Sequence, residues 1–482
     1  MKRLVRVIFS VVLPVLLPTL AAADQFELLI SPKTGSAAHM LSKKMEVGKV
    51  YRKKFKSKAA QEEFCKKLAS EDFDCEKSIQ FSADNFSADN SASKKDNPAY
   101  RKTVPATSDA DAPPSVEGVP LSGNEWSLFP NTQDPNHSGS GDIDLTRAWS
   151  ITKGSDHIYV FVMDSGISDD NVDLQGLKYA GFDSLQPDQA PSDGSGHGTQ
   201  VTSIFAAKGI KMIGIAPGTK FVDGRFLDAN NQGDTEHALA VLDFFEQKMV
   251  EIRDVDKDAK FIGNNSWGSN SVSQLVLNKM KRLSAYDYLP ITSAGNTAAN
   301  NDLQPYFPCN ADIPGNICVA ASDASDKLAD FSGFGPTSVA LMAPGVDIFG
   351  IVPGGGYERK SGTSQAVPHV TGVAALIWTA NPQLTALQVH DVLINSVDSV
   401  PSAQNAIVSG GRLNAYRALL VATDKDTSAA QRADSSNSVT LSDGGCALSD
   451  RSSQPGFWAI VLALGLALSL LALRRTHFYK SE

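Results

Sequence analysis

The run His157–Asp164, HIYVFVMD, is the strongest constraint on the fold of this 482-residue chain. It is almost continuously apolar, as expected of a strand covered on both faces, and covered strands belong to parallel sheets flanked by helices. Asp164 ends the run, and open α/β sheets place their functional groups at strand ends. KFVDGRFL, KFIGNNSWGS, LPITSAGN and SVALMAPGVDIFG read as further strands. Between them lie helical patterns: TQVTSIFAAK, TEHALAVLDFFEQKMV behind Asp234 as N-cap, Ser271 to Tyr286, and QLTALQVHDVLINS. The expectation is an α/β fold of three layers, with a mainly parallel sheet between helices.

A second constraint is the stretch Ser361–Gly372, SGTSQAVPHVTG, where a Gly-Thr-Ser turn runs into an apolar helix. This puts Ser364 at a helix N-terminus, whose unpaired N–H groups favour negative charge developing beside the hydroxyl. Pro368 is read as tolerable because first-turn N–H groups have no intrahelical partner. Composition excludes some partners. Net charge is −9, which argues against nucleic acid.

Three motifs in chain order, Asp164-Ser165-Gly166, His197-Gly198-Thr199 and Gly362-Thr363-Ser364-Gln365-Ala366-Val367-Pro368-His369, resemble those of the subtilisin-like serine proteases. A fourth, Ser293-Ala294-Gly295-Asn296, lies between the second and third. The resemblance covers Trp126 to Tyr416. It implies a subtilisin-like fold, an Asp164–His197–Ser364 triad, and Asn296 as an oxyanion donor. It also makes Ser266, Trp267 and Gly268 a substrate-pairing edge, with Ser293, Ala294 and Gly295 facing substrate. Gln365 stands where the family usually has Met, and a buried amide there needs partners. The family often has a calcium ligand at the position of Asp173. Its calcium loop is replaced here by Lys208-Gly209-Ile210-Lys211, with too few oxygen ligands for a calcium cage. No cofactor is needed for the chemistry, and a structural calcium is in doubt. His237, His369 and His390 read as surface or packing residues.

The remaining segments suggest an exported, processed chain. Residues 1–23 have a basic start, an apolar core and an Ala-Ala-Ala end, as in a signal peptide. Residues 24–84 are compact and lysine-rich. The strand candidates QFELLIS and KVYRKKFKS and the helical SKAAQEEFCKKLASEDF, with Ser57 as cap, stand where the family has its inhibitory pro-segment, a small α+β domain. A Ser-, Asp-, Ala- and Pro-rich stretch then opens at Phe81 with a duplicated FSADN. It reads as a linker to about Pro120, with boundaries taken at 85–121. The catalytic domain is 122–420 and a second spacer is 421–455. In 456–475, the uncharged Phe457–Leu473 followed by Arg474 and Arg475 reads as a membrane span with a cytoplasmic end, 476–482. Gly444-Gly445-Cys446 before that span resembles bacterial sorting tails.

Export makes disulfides plausible, pairing Cys65 with Cys75 and Cys309 with Cys318 and leaving Cys446 odd. Together these features imply a secreted or membrane-anchored serine endopeptidase acting on proteins or peptides. Its own pro-segment would inhibit it, and its carboxy-terminal segment would hold it at a membrane. The alternative is a catalytically silent surface binding protein that keeps the fold.

Overall fold

The computed structural model describes residues 26–32, 51–55, 58–69, 73–76, 78–83, 125–129 and 141–423. The chain divides into units Met1–Ala430 and Gln431–Glu482, the second lying outside the described residues. Outside them too lie the leader, Ser57, most of the linker, Cys446 and the apolar stretch Phe457–Leu473. Among the described residues no helix is long and apolar enough to cross a membrane.

The amino-terminal segment forms β1 (Phe26–Pro32), β2 (Tyr51–Phe55), α1 (Lys58–Ala69) and β3 (Phe73–Glu76). The three strands pair antiparallel in the order β2-β1-β3. The Cys65–Cys75 disulfide ties α1 to β3. Units of this size commonly rely on a covalent tie in place of a large core. Strand β4 (Gln80–Ala83) follows.

The large domain contains α2 (Leu145–Ala148), β5 (Ile158–Asp164), β6 (Lys178–Asp183), α3 (His197–Ala206), β7 (Lys220–Arg225), β8 (Gln232–Asp234) and α4 (Thr235–Val255). Next come β9 (Lys260–Asn265), β10 (Trp267–Gly268), α5 (Gln274–Leu283), β11 (Tyr288–Ser293), β12 (Ile317–Ser322) and β13 (Leu341–Pro344). A hairpin of β14 (Ile348–Val352) and β15 (Gly356–Lys360) leads into α6 (Thr363–Ala380). The domain closes with α7 (Ala386–Asn395), β16 (Asp398–Ser399), β17 (Gly411–Arg412) and α8 (Ala415–Ala422).

Nine strands form one sheet in the order β16-β17-β13-β12-β11-β9-β5-β7-β6. All its pairings are parallel except β16–β17. The period-two alternation of β5 divides the core. Val160 and Val162 pack into one cluster with residues of α3 and α6; Tyr159, Phe161 and Met163 pack into another with α4 and α5. Helices therefore cover both faces, which is the three-layer arrangement expected. The expected Asp234 cap is present: its side chain accepts the His237 N–H at the start of α4. From β5 the chain passes to the edge strand β6, returns to β7 between the two, then crosses to β9 on the other side of β5. That reversal is the switch point where such sheets bind ligands, beyond their carboxyl ends. Asp164, Asn265 and Ser293 all end strands at that edge.

Strand β4 departs from the linker reading at Phe81. It lies between β8 and β10, antiparallel to both, with Ala83 opposite Trp267 and Ser82 opposite Gly268. The Phe81 ring is buried among Phe226, Trp267 and Phe307, with centroids 6.3, 5.3 and 6.1 Å away. A composition argument misses this because the strand buries only Phe81 and Ala83 and otherwise pairs through its backbone.

Glu125 enters the core in front of the Lys208–Ile213 loop, where one carboxyl oxygen accepts the Ile213 N–H at 3.3 Å. Burial, with Asp173 adding to it, raises its pKa from 4.5 to about 8. The folded protein thus keeps a proton that the unfolded chain releases above about pH 4.5. This contribution to stability is full below that pH and is lost as pH rises toward about 8. Urea midpoints measured from pH 5 to 8 should fall less steeply in Glu125→Gln than in the wild type. Equal slopes would remove Glu125 as the cause.

Candidate active site

Asp164 ends β5 and His197 begins α3. Their side chains meet at 2.7 Å, Asp164 Oδ1 to His197 Nδ1, and both are buried. The loop between them is built for this approach. Asp193 accepts the N–H groups of Ser195, Gly196 and Thr199 and the hydroxyls of Ser165 and Thr199. Gly198 sits so close to Gly166 that a Cβ on it would lie 2.2 Å from the Gly166 oxygen, and Gly166 itself has φ 99°. Glycine is required at this crossing. The Asp164 carboxylate also accepts the Ser165 N–H at 2.7 Å. With Nδ1 held by a carboxylate, the neutral imidazole keeps its proton there and presents Nε2 as an acceptor. Nε2 is buried and has no hydrogen-bond partner among the described residues.

Ser364 is the second residue of α6, beside α3 on the same face of the sheet. Its hydroxyl donates to the Ser266 carbonyl at 3.1 Å. Its own carbonyl accepts the Ser266 hydroxyl at 2.9 Å. The second contact corrects the reading of Pro368, which lies in the second turn, not the first. A non-proline there would donate its N–H to the Ser364 carbonyl. The Ser266 hydroxyl supplies the bond that proline cannot.

Asn296 follows β11 and turns its amide toward the same helix start. Its Oδ1 accepts the Thr363 N–H at 2.9 Å and the Thr363 hydroxyl at 3.0 Å. This fixes the side chain with its donor end turned from Thr363. Of the expected edge, Trp267 and Gly268 form β10, which pairs with β4. Ser293 faces the same edge, its hydroxyl donating to the Trp267 carbonyl at 3.3 Å. Ala294 and Gly295 are held from behind, by the Asn301 amide on the Ala294 carbonyl and the Gly333 N–H on the Gly295 carbonyl.

Gln365 has a partner for the donor half of its buried amide, while its Oε1 has none among the described residues. Its Nε2 donates to Gln200 Oε1 at 2.9 Å, and Gln200 in turn donates to the Ile348 carbonyl. Gln200 lies one turn after His197, so the pair ties the two helix starts together. His369 is buried, and burial pushes its pKa down to about 4, so it packs as a neutral ring. Cys309 and Cys318 form a disulfide with Cα atoms 4.9 Å apart.

Asp173 does not face a metal-like cluster of carboxylates. Its two oxygens accept the N–H groups of Ile210, Lys211 and Met212 at 2.6, 2.9 and 3.0 Å. Among the described residues, no group of three or more His, Cys, Asp or Glu could hold a metal ion.

Sequence reasoning missed the roles of Asp193, Gln200 and Thr363 and the pairing of β8 with β4. Asp193 alone had a local signal, its place four residues before His197 in a glycine-rich loop. The others act through tertiary partners.

Residues 155–432 match the model of the Subtilase family. Thermitase of Thermoactinomyces vulgaris is 30% identical over 286 residues, covering 58% of this chain and 95% of that protein. The thermophilic serine proteinase of Bacillus sp. (strain AK1) is 31% identical, covering 56% and 64%. Subtilisin-like protease 2 of Plasmodium falciparum (isolate 3D7) is 29% identical, covering 58% of this chain and 22% of its own length. The chain thus spans less than two thirds of the last two.

The Ser266 hydroxyl has a definite worth in this arrangement. Ser266→Ala leaves the buried Ser364 carbonyl without its partner and should cost about 1–3 kcal/mol. Urea denaturation measures this, and a change within error would show that the carbonyl is satisfied otherwise.

Proposed function

Since this chain belongs to the subtilase family, we propose that it is a serine endopeptidase, made as a zymogen and acting on proteins outside the cytoplasm. The observation that carries the reading is the buried 2.7 Å Asp164–His197 pair with an unpaired Nε2, beside the helix start that bears Ser364. Ser364 Oγ attacks the scissile carbonyl. It first turns from the Ser266 carbonyl to His197 Nε2, exchanging one acceptor for another. His197 takes the proton and passes it to the leaving amine, and Asp164 steadies the charged ring. Asn296, oriented by Thr363, and the Ser364 N–H hold the oxyanion. Water then releases the acyl group by the same relay.

Substrate lies along β10 as an added strand. The amino-terminal segment already lies there as β4, which supports its role as inhibitor and first substrate. Glu76 strengthens the docking. Its carboxylate accepts the Ser273 hydroxyl and, at 3.1 Å, the Leu275 N–H at the start of α5, where a negative charge is favoured. Asp84, the next residue in sequence, lies outside the described residues; extending the β4–β10 pairing by one position would set it opposite Ser266, which Ser364 touches. The first self-cleavage therefore falls between Asp84 and Asn85.

The proposed triad chemistry requires no metal. The three N–H groups on Asp173 present positive charge where calcium would need oxygens, so this position does not fit that ion. The two disulfides fit an oxidising compartment. A leader at 1–23 and an anchoring segment at Phe457–Leu473 complete the reading from sequence alone.

Two measurements test it. A fluorophosphonate should label the processed enzyme and not Ser364→Ala; equal labelling would assign the nucleophile elsewhere. Asn296→Leu should lower turnover per titrated site by about a hundred- to a thousandfold with KM little changed, the usual cost of losing one oxyanion donor. Near-wild-type turnover would reduce Asn296 to a turn-shaping residue.

A further inference from the structure

The strand that fills the groove belongs to a tandem repeat. Residues 81–85 read FSADN, and residues 86–90 read FSADN again. The groove makes few demands on what enters it. Main-chain pairing with β8 and β10 is indifferent to side chains, and the Ala83 N–H adds a bond to the Asn231 carbonyl at 3.1 Å. Two side chains are read. Phe81 is 1% exposed in its aromatic pocket, and Ala83 is 8% exposed, leaving little room for a larger group. The second copy repeats both, as Phe86 and Ala88. The match extends backward, because Gln80 begins β4 and its counterpart, Asn85, also carries a side-chain amide.

We propose that Asn85–Ala88 is a second substrate-like strand for the same groove, and that the chain is trimmed twice, five residues apart. The inference rests on the protease reading above. After the first cut, Asn85 is the new chain start, so the segment that can re-enter the groove begins where β4 begins. It remains joined to Glu125 by a link five residues shorter than the one it replaces, and so competes with outside substrate from within the molecule. In sequence, Asp89 follows Ala88 as Asp84 follows Ala83. The bond broken is Asp89 C–N Asn90. Ser364 Oγ takes the acyl group, the Asn90 amine leaves with the proton from His197, and water restores Ser364 and yields the Asp89 carboxylate. The second copy thus acts as a tethered competitor until it is removed.

Amino-terminal sequencing and intact mass of the full-length chain during maturation test this. The expected record is a species starting at Asn85 that converts to one starting at Asn90. Phe86→Ala should slow that conversion at least about tenfold and leave the Asn85 species as end product. Phe81→Ala should skip the Asn85 species and yield the Asn90 start directly. As a check independent of folding, the mature enzyme should cut a synthetic peptide of residues 85–93 between its Asp and Asn. It should cut the Phe→Ala peptide at least about tenfold more slowly. A stable Asn85 start in the wild type, an unaffected conversion in Phe86→Ala, or an uncut peptide would overturn the second strand while leaving the protease reading intact. Processing that persists in Ser364→Ala would instead overturn the protease reading.

Discussion

The first turn of α6 is held by side chains from three other elements, and the site depends on that anchorage. The Thr363 N–H goes to Asn296 beyond β11, the Ser364 carbonyl takes the Ser266 hydroxyl beyond β9, and Gln365 bonds Gln200 on α3. A helix start ordinarily has orphan N–H groups, and here Pro368 adds an orphan carbonyl. Each orphan is an opportunity for a tertiary bond. The ends of two sheet strands and the histidine helix are thereby fixed against the serine helix without any loop bridging them.

The sheet explains why those anchors are close. Because β5 and β9 are neighbours in space while β6 and β7 leave in the other direction, the ends of β5, β9 and β11 face one opening. Almost wholly buried, α6 packs over these strands as a rigid support. This much was legible in the sequence, since a continuous apolar strand such as HIYVFVMD and a long apolar helix each permit few environments. The Asp164–His197 pair was legible through its motifs. The partners that make those motifs work were less so. Gln365 announced that it needed a partner without naming Gln200, a residue 165 positions away. The position of Pro368 within the helix depended on where the helix begins, and helix boundaries are the least secure feature of any sequence pattern.

The reading of Phe81 as linker shows a different limit. Composition measures how much apolar surface a segment can bury against itself. β4 buries one ring in a pocket that other residues supply, worth about 1.5–3 kcal/mol for a fully buried phenylalanine, and satisfies its backbone between two waiting strands. A segment that cannot fold alone can therefore be ordered as a guest. Under the two-step trimming proposed above, the same economy accounts for the repeat. When recognition uses the backbone and one or two side chains, a copy of five residues carries all the information the groove reads.

On the proposed function, this economy also governs release. While the chain is whole, Glu76 at α5, Phe81 in its pocket and the covalent link all hold the amino-terminal segment in place. Cutting the link removes none of those contacts, yet it converts an intramolecular equilibrium into one between two molecules. The effective concentration that the tether gives the inhibitor is replaced by its actual concentration. The polar, weakly apolar β4 suits such a device. A longer apolar strand would bind well enough to stay after cleavage, and one without Phe81 would lack the anchor that sets the register opposite Trp267 and Gly268. The groove thus favours a guest that binds firmly only while tethered. On the two-step trimming proposed above, a second tethered copy would extend inhibition past the first cut without requiring either copy to bind tightly.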